Sequence, residues 1–232
     1  MIINLTLLRM KRSEINNYIS EAKAFFSKHQ FLLPPWAFFS PEDWKKTGPE
    51  YTEIRDNMLG WDLTDFATGD YLKCGLLLFT IRNGNFANKA YPKPYAEKIM
   101  IVREKQITPT HFHWNKMEDI INRGGGDLCI QVWKANKAEE KTNDSFTIQI
   151  DGVTKTFKGG DIVRLKPGES ITLEPYVYHM FWAENGMTLV GEVSMVNDDN
   201  NDNRFFEQLG RFPGIIEDAT PLHLLCNEYD KF

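Results

Sequence analysis

Along the chain the spacing of apolar side chains changes character near residue 70. From Ser13 to about His29, the residues Ile15, Tyr18, Ile19, Ala22, Phe25 and Phe26 recur at helical intervals, which predicts an amphipathic helix with Ser13 as its N-cap. Pro34 and Pro35 stop that helix, and Ser40 ahead of Pro41 can cap a short second one. This aromatic-rich stretch has too little apolar surface for a core of its own. Residues 1–70 are therefore expected to form a helical extension packed on the rest of the chain.

After Leu72 the helical period gives way to short apolar runs broken by turn residues. CGLLLFTIRNG ends at Asn83-Gly84, a hairpin signal. KIMIVR, LCIQVW, SFTIQI, VTKTF, DIVRL, SITL, HMFWA and MTLVGEVSMV come next, with Asp151-Gly152, Gly159-Gly160-Asp161 and Pro167-Gly168 as separators. Many short strands with tight turns predict a mainly β, antiparallel sandwich or barrel over residues 71–232. No long helical pattern interrupts them, which excludes a parallel α/β sheet as the main plan. The tail after Asn197 opens on a polar run, NDDNNDN, and its period is too weak to assign elements.

Composition narrows the function classes. At 232 residues, 42% hydrophobic and 25% charged, the chain suits one large domain, or one domain with an extension. A net charge of −5 without a long basic run argues against a nucleic-acid partner. No apolar stretch approaches the roughly 20 residues that span a bilayer, and MIINLTLLRMKR shows no cleavage site, so cytoplasmic residence is expected. Cys74, Cys129 and Cys226 are widely spaced and form no CxxC pair. They read as reduced structural thiols rather than nucleophiles.

The candidate chemistry sits in THFHWNKMEDIINRGGG. In a strand, His111 and His113 project from one face while Phe112 and Trp114 pack on the other. Glu118 lies past the strand end, where a turn can return its carboxylate to the imidazoles. Two imidazoles and a carboxylate suit a divalent transition metal and leave positions open. His179, at the start of HMFWA, is the expected fourth ligand from a neighbouring strand. A lone strand histidine is ordinarily a core or surface residue, and HxH by itself is weak. The combination with Glu118, the glycine cluster and His179 favours a metal centre. His29 and His223 read as structural.

The pattern His111-x-His113, Glu118 and Gly125 resembles the first motif of the cupin superfamily, and Gly160 to His179, with Pro167-Gly168 inside, resembles the second. Ala183 stands where the second motif carries Asn, a departure that touches local geometry rather than a ligand. YAEKIMIVREKQITPTHFHWNKMEDIINRGGGDL, PGES before EPYVYH, and GEVSMVNDDNNDNRFF are similar to the D-lyxose isomerase family of cupin sugar isomerases, over about residues 30–225. That resemblance implies a double-stranded β-helix (jelly-roll) barrel. It also implies His111, His113, Glu118 and His179 as ligands of a Mn²⁺-type ion, with Fe²⁺, Co²⁺ and Zn²⁺ also compatible. The implied reactions interconvert D-lyxose with D-xylulose and D-mannose with D-fructose.

Such a reaction moves hydrogen between C1 and C2 of the open-chain sugar. It needs a Lewis acid for the adjacent oxygens and an acid–base group on one face. Glu192 is the first choice for base, because Leu189, Val193 and Met195 alternate with Thr188, Glu192 and Ser194, and a charge in such a strand is costly unless it faces a site. The competing reading puts that polar face in solvent. Lys98 begins a strand that can reach the cavity and neutralise an oxyanion, or equally be solvated. Asp202 and Arg204 read as a solvated loop, and only the resemblance raises them to candidates for hydroxyl binding or protonation. Trp114, Tyr178 and Trp182 alternate away from the ligands. The alternatives on the same ligand set are a cupin dioxygenase and a non-catalytic sugar-binding cupin. A homodimer is expected from family habit, with Trp36–Trp44 as a cover or contact segment.

Overall fold

Two long strands organise the β structure of the computed structural model, which describes residues 9–199, 201–211 and 214–231. The elements in order are β1 (Arg9–Lys11), α1 (Arg12–Lys28), the short helices α2 (Pro41–Trp44) and α3 (Thr52–Asp56), β2 (Gly60–Thr64), β3 (Leu76–Arg82), β4 (Tyr95–Val102) and β5 (Thr108–Phe112). They continue with β6 (Glu118–Lys134), β7 (Ser145–Ile150), β8 (Val153–Lys158), β9 (Ile162–Leu165), β10 (Ser170–Leu173), β11 (Val177–Met195), β12 (Arg204–Phe205) and β13 (Gly214–Ile216). HMFWA and MTLVGEVSMV, expected as separate strands, are the two halves of β11. LCIQVW likewise extends back through the triple glycine to Glu118 as β6.

β6 and β11 pair antiparallel from Val177↔Lys134 to Ser194↔Glu118, with register shifts beside the glycines. Both strands bend there. Gly124, Gly125, Asn185 and Gly186 have positive φ, and a Cβ on Gly125 would lie 2.2 Å from the Met187 carbonyl oxygen. Only glycine admits that approach. On one side of the bend the strand order is β2-β3-β4-β11-β6-β10-β7-β8. On the other side β5 pairs β11, β12 pairs β5, and β9 pairs β6. The two layers close over one apolar core that includes Leu78, Met100, Ile130, Val163, Ile171 and Phe181. This is a mainly β, cupin-type jelly roll. Its hydrogen-bonded ladder stays open at β2 and β8.

The outer face of the first layer is covered by α1. Leu77, Phe79, Ile99, Ile101 and Leu189 pack beneath Ile15, Ile19, Ala22 and Phe26. The helix begins at Arg12, not at a Ser13 cap. Ser13 Oγ instead donates to Asp218 at 2.8 Å, and the Lys11 amide donates to the Glu14 carboxylate. Ser40 does cap α2, accepting from the Asp43 amide. β2 belongs to the main sheet, so strand structure begins before residue 70; its five residues are all buried, polar Asp62 and Thr64 included, which hides the usual alternation.

Asn83-Gly84 does not make a tight hairpin. β3 and β4 pair, but residues 83–94 form a loop between them. The Asn83 carboxamide accepts from the Asn197 amide and donates to the Asn197 carbonyl, both at 2.9 Å. Gly84 is required by the close approach of the Lys93 carbonyl, 1.8 Å from a Cβ there. Asp151-Gly152 is a tight turn, with φ of 50° and 77° joining β7 to β8. In Trp36–Trp44 the apolar surface is largely used within the chain. Trp36 and Phe39 meet the buried Trp44 ring at 6.4 and 5.4 Å, while Phe38 is 49% exposed. Among the described residues, no helix is long and apolar enough to cross a membrane.

The tail that resisted assignment ties both ends of the fold together. β13 pairs parallel with β1, and the buried Arg12 guanidinium donates to Glu217 at 2.7 and 2.8 Å and to the buried Glu228. Removing one partner of a buried pair leaves the other charge uncompensated. Arg12→Met is therefore expected to lower unfolding stability by about 3 kcal/mol, read as a shift of the urea midpoint. A wild-type midpoint would show that this pair contributes nothing.

Candidate active site

β5 and the first half of β11 lie side by side, with His111 directly opposite His179. The next matched pair is Thr108↔Phe181, so β5 carries an extra residue, a bulge that keeps both Thr108 and His111 facing inward. His113 comes two positions after His111 on the same side. On β11, Val177, His179, Phe181 and Ala183 occupy successive inward positions, so the imidazole replaces an apolar core residue.

Each imidazole is oriented by a backbone carbonyl. His111 Nδ1 lies 2.8 Å from the Pro109 oxygen, His113 Nδ1 2.8 Å from the Asp202 oxygen, and His179 Nδ1 3.0 Å from the Val177 oxygen. A carbonyl only accepts, so each Nδ1 carries the proton and each Nε2 presents a lone pair. One ligand atom from each ring falls within 4.8 Å of the other two. His113 Nε2 is buried without a hydrogen-bond partner. Burial, with the neighbouring rings, holds His111 well below its ordinary pKa; burial, then Lys116, lowers His113. Converging Nε2 atoms fit a divalent cation, and the three-histidine cluster can hold one.

Glu118 opens β6 and enters the same centre from the other layer. Its Oε1 lies 3.4 Å from His113 Nε2 and 3.2 Å from His179 Nε2, and its Oε2 accepts from Lys116 Nζ at 2.7 Å. Burial favours the protonated form, but the Lys116 ammonium outweighs it and holds the carboxyl well below its usual range. Glu192, opposite Lys98 across β11 and β4, also points inward and is 5% exposed. Val193 and Met195, on the other face, are 46% and 43% exposed, so this segment is polar inside and apolar outside. Lys116 Nζ lies 3.0 Å and Lys98 Nζ 3.2 Å from Glu192 Oε1. Burial opposes ionisation of Glu192, yet Lys116 and Lys98 lower its pKa.

The four proposed ligands, Lys98 and Glu192 thus line one cavity of about 60 Å³. Asp202 and Arg204 do not line it. The Asp202 carboxylate accepts from the Asn115 and Lys116 amides at 2.8 and 2.9 Å, while its carbonyl holds His113. Arg204 Nε donates to Glu139 at 3.0 Å, on the outer side. Both side chains are engaged by protein partners outside the cavity lining.

The family model for D-lyxose isomerase matches residues 10–229. This chain belongs to the D-lyxose isomerase family. The D-lyxose/D-mannose isomerase of Escherichia coli O157:H7 is 49% identical over 226 residues, 96% of this chain and 100% of that one. Its Serratia proteamaculans counterpart is 48% identical, over 96% and 99%. Among solved structures, the L-ribose isomerase of Acinetobacter sp. DL28 in complex with L-ribose superposes with a TM-score of 0.60 at 17% identity, covering 90% of this chain and 99% of that one. The Cellulomonas parahominis L-ribose isomerase superposes at 0.55 and 16%, over 91% and 100%. Those two structures share the fold. By family the chain is an enzyme, a sugar isomerase.

Several residues of the isomerase's cavity were not singled out from sequence. Lys116 reads as a solvated lysine in NKMED, yet it is 3% exposed. Its pKa is raised: burial opposes the charge, but Glu118 and Glu192 outweigh it. Asn197 Oδ1 accepts from Lys98 Nζ at 2.6 Å and from Lys116 Nζ at 3.3 Å. Arg211 joins Asp199 at 3.0 Å and also pairs with Asp62, closing another wall. Thr108 Oγ1 is buried with no hydrogen-bond partner. A second cavity of about 270 Å³ adjoins at Asn197 and Asp199.

Mn²⁺ at a hundred times its dissociation constant is expected to stabilise the folded isomerase by about 2.7 kcal/mol, seen by calorimetry as a raised melting temperature. His179→Ala should abolish the increment. An increment that persists in His179→Ala would place the cation elsewhere.

Proposed function

We propose that this isomerase interconverts D-lyxose with D-xylulose, and D-mannose with D-fructose, in a metal-dependent reaction. His111, His113, Glu118 and His179 hold the cation. The observation that carries the reading is the convergence of three imidazoles and the Glu118 carboxylate beside a second buried carboxylate, Glu192. The sugar pairs are supported by the names of the two curated relatives, at 49% and 48% identity. Manganese suits three nitrogens and one oxygen, as iron, cobalt and zinc also do. When bound, such a cation supplies Lewis-acid polarisation of the substrate's adjacent oxygens.

The proton work falls to the chain. Glu192 is ionised and is the acceptor for the C2 proton of the aldose, which it returns to C1, while the O2 hydroxyl proton passes to O1, so the ketose forms with no net change in protons. The Ser194 hydroxyl, donating to Glu192 Oε1 at 3.0 Å, and the two lysines hold it in place. Lys116 remains protonated and stabilises negative charge as it grows on the sugar oxygen. Thr108, Asn203 and Asp199 offer partners to the remaining hydroxyls. A buried carboxylate flanked by two ammonium groups supports isomerisation over the dioxygenase alternative, which needs little beyond open coordination positions. Asp202 acts by orienting His113 rather than by touching substrate.

Glu192→Gln keeps the shape but removes the proton acceptor. It is expected to lower kcat by about 10²–10⁴ while Mn²⁺ binding persists, measured as ketose formation from D-lyxose. Wild-type turnover in D₂O should place solvent deuterium in the product. Product free of deuterium, or full activity of Glu192→Gln, would contradict the proton route through this residue.

A further inference from the structure

The connection between β6 and β7 crosses the outer side of the site and carries one acidic residue with three separate attachments. Glu139 has φ of 61°, a left-handed backbone unfavourable for an L side chain. Asn136 holds the turn, its Oδ1 accepting from the Ala138 and Glu140 amides at 2.8 and 3.0 Å. From that position the Glu139 carboxylate accepts from the Trp114 indole N–H at 2.7 Å and from Arg204 Nε at 3.0 Å. Its carbonyl accepts from the Tyr178 hydroxyl at 2.8 Å.

Each donor neighbours a site residue in sequence. Trp114 comes directly after His113, Tyr178 precedes His179, and Arg204 stands between Asn203 and Phe205, which line the cavity. Alternation puts the donors outside and their neighbours inside. Phe112 packs between, its ring 5.6 Å from Trp114 and 4.7 Å from Tyr178. The Arg204 and Glu139 side chains are 39% and 34% exposed, so their ion pair adds little to stability.

We infer that Glu139 is a positioning residue for the cation centre. By tying Trp114, Tyr178 and Arg204 to one point, it fixes the ring orientations of His113 and His179. It also holds the 202–205 segment, whose Asp202 carbonyl selects the His113 tautomer. The inference rests on the reading of the three imidazoles and Glu118 as cation ligands.

The test compares Glu139→Ala, Trp114→Phe, their double variant and Glu139→Gln with Lys137→Ala, an exposed residue of the same loop. Imidazole ¹⁵N signals are recorded on cation-free protein, and Mn²⁺ affinity is measured by calorimetry. Each of the first two variants should weaken Mn²⁺ binding by about 10–100-fold, with melting temperature little changed. The double variant should lose no more than the worse single one, because both cut the same path. Glu139→Gln, which keeps an acceptor for Trp114, should recover most of the loss. In Glu139→Ala the His113 signals should change from one Nδ1-protonated form to a mixture. Wild-type signals in Glu139→Ala, or an equal loss in Lys137→Ala, would overturn the positioning role. A wild-type protein that takes up no Mn²⁺ would sink the cation reading instead, and the cation-free ¹⁵N signals would still decide for or against Glu139.

Discussion

The site depends on three hydrogen bonds from imidazole Nδ1 atoms to backbone carbonyls. Without them, each ring can rotate or exchange tautomers, and the Nε2 lone pairs need not meet. The acceptors come from different parts of the chain. The Pro109 carbonyl belongs to the β5 bulge, the Val177 carbonyl to the start of β11, and the Asp202 carbonyl to the tail. The centre is therefore a product of the whole fold, since the tail must dock before His113 is oriented. Asp202 secures that docking by accepting from the amides of Asn115 and Lys116, just beyond the histidine pair.

Charge balance is the second constraint. Glu118 and Glu192 project from the first layer into a space that the core otherwise fills with Leu78, Met100 and Ile120. Two buried carboxylates at such a place would repel and protonate if left alone. Lys116 touches both and Lys98 touches Glu192, so both acids remain ionised. The arrangement leaves the carboxylate proposed as a ligand and the one proposed as the base joined by one ammonium group. That juxtaposition is what an isomerase needs and an inert binding module does not.

Much of this was readable in the residues. His111 and His113 share a face because strand side chains repeat every second position, and Glu192 stands out because a charge interrupts an apolar strand. The D-lyxose isomerase resemblance agrees with the family match over residues 10–229. What escaped reading depends on tertiary closure. Lys116, Asn197 and Arg211 look like solvated residues until two layers and a tail enclose them. Asp202 and Arg204 lie in the right segment, but their side chains turn to protein partners, which no local pattern reveals. Asn83-Gly84 has the composition of a tight turn, whereas its carboxamide and its missing Cβ serve contacts with Asn197 and Lys93.

X-ray absorption spectroscopy at the manganese edge, on protein loaded with one equivalent of Mn²⁺, addresses the centre most directly. The expected first shell contains three imidazole nitrogens, seen through their outer-ring scattering, and at least one carboxylate oxygen. A shell made only of oxygens, or one with fewer than three imidazoles, would contradict the convergence of His111, His113 and His179 on a single cation.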